Sequence, residues 1–177
     1  NHTVAQLLIT APDIEEGGVR KQNFHNTLAR LLELGALPVI NENDTISVTE
    51  LMFTDNDELS GLVAAMMQAE ALIILSNIDG IYNGPPSDPA SEVIREIEHG
   101  KDLSSYIQTS KSSFGRGGML TKTNIARKVA DEGITVIIAN GKCDNILVNI
   151  LRNEELRMKN EESSSDMTAQ PNSSFLI

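Results

Sequence analysis

The sequence predicts an α/β domain with a mainly parallel sheet. Apolar runs of strand length alternate along the chain with segments of helical periodicity. Parallel neighbouring strands need a crossover connection, and that crossover is usually a helix. The predicted order of strand, helix, strand, helix, strand therefore favours an α/β architecture. A length of 177 residues favours one domain over two.

The first half of the chain predicts two strands and two helices. Residues 6–10 are short and aliphatic, and a helix follows over about residues 21–34. Gly35 ends this helix because glycine tolerates positive φ, and residues 36–40 predict the next strand. A second helix runs over about residues 57–69. Apolar residues at helical spacing are expected to face the core: Phe24, Leu28, Leu31 and Leu32 in the first helix, and Leu59, Leu62, Val63 and Met66 in the second.

The second half predicts two further strands, one helix and a tail. Residues 71–75 (ALIIL) are apolar without alternation, which is typical of a strand covered on both faces. A helix follows over about residues 119–133, and then a strand over residues 134–139. Residues 152–177 are acidic, rich in serine and poor in apolar side chains, so we predict that this tail is disordered. Residues 1–151 form the predicted domain.

Composition excludes several classes of function. Fourteen basic and 25 acidic residues leave a formal net charge of −11, whereas a general nucleic-acid binder normally has a basic face. No apolar run approaches the ~20 residues that a membrane span needs. The single cysteine, Cys143, excludes an internal disulfide framework and fits a reducing compartment, so we predict a cytoplasmic location. Three scattered histidines beside that cysteine argue against a zinc site, and no protein metal site is predicted.

One segment of this acidic chain is rich in bases. Residues 111–128 contain five Lys or Arg side chains and no Asp or Glu. Within it, Gly115-Arg116-Gly117-Gly118 precedes a predicted helix, where glycines and free N–H groups can hold a phosphate. Lys122 lies about one turn into that helix. The segment is not the P-loop pattern, and a flexible loop with ordinary surface bases is the alternative.

A second segment has the opposite charge. Residues 41–58 contain six acidic side chains and no Lys or Arg. NENDT (residues 41–45) directly follows a predicted strand, and Asp55-Asn56-Asp57 opens a helix. Such side chains can bind an amino group, orient a lysine or hold a magnesium–nucleotide complex. Turn and helix-cap chemistry is the alternative for each cluster, and a tight turn is the simplest interpretation of residues 76–80.

These segments together resemble the amino acid kinase superfamily, and within it most closely the glutamate 5-kinases. The resemblance runs from the start of the chain to about residue 151. It rests on five ordered segments: LPVINENDT at 37–45, FTDNDELS at 53–60, LSNIDGIY at 75–82, GRGGMLTK at 115–122 and VIIANG at 136–141. It implies a three-layer αβα sandwich and ATP-dependent phosphorylation of the glutamate side-chain carboxylate, the first step of proline biosynthesis.

The resemblance also implies roles for individual residues. Asp44 and Asn56 would contact glutamate, together with Asn41 and Asn43. Asp55 and Asp57 would organise the transfer site, with Asp57 orienting catalytic lysine ammonium groups, and Lys122 would stabilise the transferred charge. Mg²⁺ would offset the charge of ATP. The nucleotide would be bound by Lys122 and by the remaining positions, which are Ser76, Asn77, Arg116, Gly117, Gly118, Met119, Leu120 and Thr121.

Two departures from the family pattern bear on activity. The family commonly has Thr-Asp or Ser-Asp where this chain has Ser76-Asn77, and asparagine keeps a hydrogen-bonding amide but has no charge. The family's first strand, its glycine loop and a second phosphate-contacting lysine would lie upstream of Asn1. We therefore expect the N-terminal portion of the kinase domain to be missing, and little or no turnover by this chain alone.

Three interpretations follow for the function. The first is a glutamate 5-kinase that is a homo-oligomer in its complete form and takes L-glutamate, without a nucleic-acid or membrane partner. The second is a relative that acts on acetylglutamate, aspartate or a nucleoside monophosphate. The third is a non-catalytic module that binds a nucleotide or an amino acid. NENDT disfavours the second interpretation.

Overall fold

The fold was examined in a computed structural model of the chain. It describes residues 1–15, 18–46, 55–84, 88–94, 96–98, 119–153 and 174–176. The described chain forms two compact units, residues 1–69 and residues 70–177. Each unit pairs parallel strands with helices, as expected of the α/β class.

The described residues of the first unit form two parallel strands and three helices. The elements are β1 (Val4–Ile9), α1 (Ala11–Glu15), α2 (Gly18–Glu33), β2 (Leu37–Glu42) and α3 (Asn56–Met67). β1 and β2 are in register from Val4 opposite Leu37 to Ile9 opposite Glu42. The carboxyl ends of both strands therefore lie at one edge, which is where ligands bind in sheets of this kind.

The core of this unit lies between the strand pair and the helices. Ile9, Ala11, Ile14, Phe24, Leu28 and Leu59 are buried together, and Leu62, Val63 and Met66 of α3 pack against them. Of the four core positions predicted in α2, the prediction for Leu32 is wrong, because 55% of its surface is exposed. Each step of four residues advances about 40° around a helix axis, so the eighth residue after Phe24 has rotated off the core face.

In the second unit, the elements are β3 (Ala71–Ser76), β4 (Glu96–Glu98), α4 (Met119–Asp131), β5 (Thr135–Asn140), α5 (residues 146–153) and β6 (Ser174–Leu176). The four strands among them form one sheet in the order β3-β5-β6-β4. The pairs β3–β5 and β5–β6 are parallel, and β4–β6 is antiparallel. The sheet is therefore mainly parallel, as predicted.

Burial in this sheet differs from the sequence prediction. β3 alternates, with Leu72 and Ile74 buried and Leu75 47% exposed, so the prediction that it is covered on both faces is wrong. β3 is an outer strand of the described sheet, whereas β5 lies between two strands. Residues 136–139 of β5 are buried without interruption, and α4, which packs against β5, contributes the buried residues Ala126 and Val129.

The predicted tail begins and ends with regular structure. Residues 152 and 153 lie in α5, and Ser174–Leu176 form β6, where Leu176 pairs with Ile137 and the strand pairs with Glu96–Glu98. At these five residues the structure differs from the prediction of disorder: residues 152 and 153 are helical, and strands distant in sequence supply the backbone partners of residues 174–176. Residues 154–173 lie outside the described residues. No helix in the described ranges is long and apolar enough to cross a membrane.

Candidate active site

The first group of predicted site residues follows β2. Asn41 lies within β2, and the backbone N–H of Asn43 donates to the Ile9 carbonyl oxygen at 2.7 Å. This bond joins the β2 exit to the end of β1. The Asn43 Oδ1 atom accepts from the Thr45 hydroxyl at 2.6 Å. Asp44, between these two residues, is exposed at the carboxyl edge of the strand pair.

The start of α1, which directly follows β1, is capped at the same edge of the strand pair. The Asp13 Oδ2 atom accepts from the Thr10 backbone N–H at 2.8 Å and from the Thr10 hydroxyl at 2.7 Å. Arg20 lies 3.5 Å from Asp13 Oδ1. Burial opposes ionisation of Asp13, but the Thr10 hydrogen bonds and the Arg20 charge outweigh it and hold the pKa below 3.8. The first bond satisfies the N–H of Thr10, which directly precedes α1, and together these bonds hold the end of β1 against the start of the helix.

The second predicted group opens α3. Asp55 is the N-cap, with extended φ of −167°, and its Oδ1 atom accepts from the Glu58 N–H at 3.0 Å. Asp55 Oδ2 is buried and has no hydrogen-bond partner in the described part of the chain. Asn56 is exposed, whereas Asp57 is half-buried and its carbonyl oxygen accepts from the Ser60 hydroxyl at 2.7 Å.

The two interpretations of Asp55 therefore apply to its two oxygens. Oδ1 performs the ordinary capping role that the sequence offered as an alternative. Oδ2 is a buried acceptor, and a buried acceptor without a donor is costly, so ligand chemistry can use it. α3 packs against β2 within the same unit, which brings the NENDT and DND elements into one compact structure.

The predicted nucleotide residues lie in the second unit. Ser76 ends β3, and its carbonyl oxygen accepts from the Gly141 N–H at 2.8 Å. Asn77 is exposed in the loop that follows. Thr121 and Lys122 are half-buried in the first turn and a half of α4, which Met119 and Leu120 begin. Arg116, Gly117 and Gly118 lie outside the described residues.

A side-chain contact that the sequence did not predict joins the last residue of β5 to the loop that follows β3. Asn140 Nδ2 donates to Asp79 Oδ1 at 2.8 Å, across 61 residues of sequence. The Tyr82 hydroxyl donates to Asp79 Oδ2 at 3.4 Å. Burial raises the pKa of Tyr82 above its usual 10, and the charge and hydrogen bond of Asp79 raise it further, so the hydroxyl stays a donor.

The amino acid kinase family model matches residues 1–140 of the chain. The chain belongs to the amino acid kinase family. A crystal structure of isopentenyl phosphate kinase has a similar fold, with a TM-score of 0.58 and 16% identity, over 86% of this chain and 57% of that one. This likeness confirms the predicted α/β fold class.

Within this family, the chain is similar to glutamate 5-kinases. It is 80% identical over 130 residues to that of Bacteroides thetaiotaomicron, which covers 73% of this chain and 36% of the relative. It is 50% identical over 149 residues to that of Chlorobaculum tepidum, covering 84% and 40%. The glutamate 5-kinase of Clostridium perfringens is 40% identical over 162 residues, covering 88% and 60%. The chain thus spans between about a third and three-fifths of the length of these relatives.

Proposed function

We propose that this chain supplies part of a kinase that transfers the γ-phosphoryl group of ATP to the side-chain carboxylate of L-glutamate. The observation that carries the proposal is the 80% identity to a glutamate 5-kinase over 130 residues. The geometry of the two units supports it. One unit has an acidic and amide-rich edge, and the other has a loop and a helix start suited to a nucleotide.

The acceptor side is assigned to the first unit. Asp44 is exposed at the carboxyl edge of the strand pair, where its carboxylate can bind the amino group of glutamate. Asn41, Asn43 and Asn56 provide amides of the kind that bind carboxylate and amino groups. The buried Oδ2 of Asp55 has acceptor capacity left after capping, so it suits a cationic donor at the transfer site. Asp57 orients catalytic ammonium groups.

The donor side is assigned to the second unit. Ser76 and Asn77 lie after a parallel strand, where nucleotides bind in α/β sheets. The N-terminal end of α4 presents N–H groups and a partial positive charge to phosphate. Residues 116–122 embrace the phosphates, and Lys122 adds an ammonium that stabilises the charge in transfer.

The reaction needs positioning and positive charge more than a strong base. A glutamate carboxylate oxygen forms the new bond to the γ-phosphorus, and the bond from that phosphorus to the β–γ bridging oxygen breaks. The products are ADP and γ-glutamyl phosphate, and no proton has to be removed from the nucleophile. In-line geometry and stabilisation of the moving charge therefore supply the catalysis.

Magnesium is assigned to the nucleotide. The described ranges hold no cluster of three or more His, Cys, Asp or Glu side chains that could bind a metal ion. Mg²⁺ is commonly held by substrate phosphates and few protein ligands, so this donor set fits an ion that arrives with ATP. When bound, it neutralises phosphate charge.

Hydroxylamine trapping of the acyl phosphate tests the proposal. The assay compares the 177-residue chain with a fusion protein. In the fusion, Asn1 is preceded by the segment of the Bacteroides thetaiotaomicron relative that lies upstream of the matched region. We expect a glutamyl hydroxamate from the fusion with Mg²⁺, ATP and glutamate, and little or none from the chain alone. A Lys122→Ala fusion is the matched control for product that comes from elsewhere.

The same assay with other phosphoryl acceptors separates the alternative functions. Hydroxamate from aspartate or acetylglutamate but not glutamate contradicts the substrate assignment. ADP formation with a nucleoside monophosphate as the sole acceptor contradicts it in the same way. Binding of ATP and glutamate by a folded fusion with no product supports a non-catalytic binding module instead.

A further inference from the structure

We infer that Asn140 is a positioning residue, which holds the Ser76–Asn77 loop in place through Asp79. The inference rests on the proposed function, since it takes that loop to be part of the nucleotide site. Its structural part, a tie between the loops that follow β3 and β5, stands on hydrogen bonds of the second unit alone.

The tie begins where two parallel strands end together. Ser76 pairs with Asn140 at the last register position of β3 and β5. One residue further, the Gly141 N–H donates to the Ser76 carbonyl oxygen at 2.8 Å. A Cβ on Gly141 would lie 3.2 Å from the Leu75 Cβ atom, so the two chains leave the sheet in close contact. The first residue of the loop is thereby fixed.

The far end of the loop is fixed by a second set of bonds. Ile81 is 2% exposed, and its carbonyl oxygen accepts from the Ile94 N–H at 2.7 Å. Asn83 N–H donates to the Glu92 carbonyl oxygen at 3.0 Å, and Glu92 N–H donates to Asn83 Oδ1 at 2.9 Å. Asn77 and Asp79, by contrast, are exposed and belong to no strand or helix.

Asn140 fixes the middle of the loop. Its Oδ1 atom accepts from the Lys142 N–H at 3.0 Å, which orients the side-chain amide. Its Nδ2 atom therefore points to Asp79 Oδ1, at 2.8 Å. Asp79 lies two residues after Asn77, so this bond limits the freedom of the exposed Asn77. A loop ordered before binding costs less free energy to immobilise on a ligand.

Exchanging the two side chains tests this arrangement. Asn140→Asp places a second carboxylate opposite that of Asp79, and like charges at hydrogen-bond distance repel. Asp79→Asn keeps an acceptor oxygen for Asn140 and is the matched control. The double variant Asp79→Asn/Asn140→Asp restores one donor and one acceptor with their positions exchanged, so it should rescue the tie.

The readouts are Mg·ATP affinity by calorimetry and amide hydrogen exchange, on the full 177-residue chain. We expect Asn140→Asp to weaken Mg·ATP binding by about tenfold and to accelerate exchange at Gly141, because a charge-assisted bond is replaced by repulsion. Asp79→Asn and the double variant should stay within about threefold of wild type. Exchange in β1 and β2 of the first unit should not change in any variant.

The outcomes separate the tie from the proposed function. Unchanged exchange in Asn140→Asp overturns the tie. Faster exchange with unchanged Mg·ATP affinity, or a double variant as weak as Asn140→Asp, overturns the positioning role. A wild-type chain that binds no Mg·ATP contradicts the proposed nucleotide site and with it the positioning role, whereas the exchange measurement still tests the tie by itself.

Discussion

The carboxylate of Asp55 accepts a hydrogen bond from the Glu58 backbone N–H at 3.0 Å through Oδ1, while its Oδ2 atom is buried with no partner in the described residues. The same side chain therefore begins α3 and offers an acceptor to a ligand. Substitutions of Asp55 can separate its capping role through Oδ1 from the proposed ligand contact through Oδ2.

Asp55→Asn and Asp55→Ala should differ in stability but agree in activity. Asparagine is as good an N-cap as aspartate, whereas alanine removes the cap and costs about 1 kcal/mol of unfolding free energy. Both lose the charge at Oδ2, so both should abolish most hydroxamate formation in the fusion. Urea unfolding and trapping measure the two effects. An active Asp55→Asn fusion would mean that Asp55 serves only as a cap.

Asp44→Ala and Lys122→Ala should affect different kinetic constants. Asp44 is assigned to the ground-state binding of glutamate, so its loss should mainly raise KM for glutamate. Lys122 is assigned to charge that develops during transfer, so its loss should mainly lower kcat, by about a hundredfold or more. Steady-state kinetics of the two fusions measure this split, and the reverse pattern would mean that the roles are exchanged.

Gly141→Ala and Gly133→Ala should both destabilise the chain, for different reasons. The Gly141 Cβ would meet Leu75 at 3.2 Å and the Ser76 carbonyl oxygen at 3.5 Å, next to the proposed nucleotide loop. Gly133 has open space but a φ of +84°, which strains any other residue by about 1 kcal/mol. Only Gly141→Ala should also weaken Mg·ATP binding. Equal affinities in the two variants would contradict the close packing of the loop.

Asp13 should make the stability of the first unit depend on acid pH. Its folded pKa lies below 3.8, so its contribution is complete above that value and is lost as pH falls through the lower folded value. The stability difference between wild type and Asp13→Asn should therefore be constant above about pH 5 and shrink below pH 3.8. Urea unfolding across this range measures it, and a difference that grows on acidification would contradict the assignment.

Most elements of the fold followed from local pattern, and the exceptions depended on distant partners. The three long helices and the four aliphatic strands were predicted to within a few residues. α1 has five residues and contains Pro12, so periodicity could not reveal it. β4 and β6 have three residues each and form through pairing with each other and with Ile137. No local signal marks such strands.

The candidate site, like the fold, could be predicted from the sequence only in part. The charged segments and the family resemblance predicted Asp44, Asp55 and the Ser76 loop as site residues, and their roles stay predictions. The Asp55 cap, an alternative that residue type alone offered, is present in the structure. The Asn140–Asp79 bond was not predicted, because the two residues are 61 positions apart and neither is unusual in its own segment. Only the register of β3 and β5 brings these loops together.

Transfer of oxygen-18 tests the central claim most directly. The fusion is supplied with Mg²⁺, ATP and glutamate whose side-chain carboxylate carries oxygen-18, and hydroxylamine then displaces phosphate by attack on the acyl carbon. If a carboxylate oxygen attacked the γ-phosphorus, the released phosphate carries one labelled oxygen, and mass spectrometry should detect it in step with hydroxamate. Unlabelled phosphate released at the rate of ADP formation would show that water is the acceptor, and would contradict a glutamate kinase.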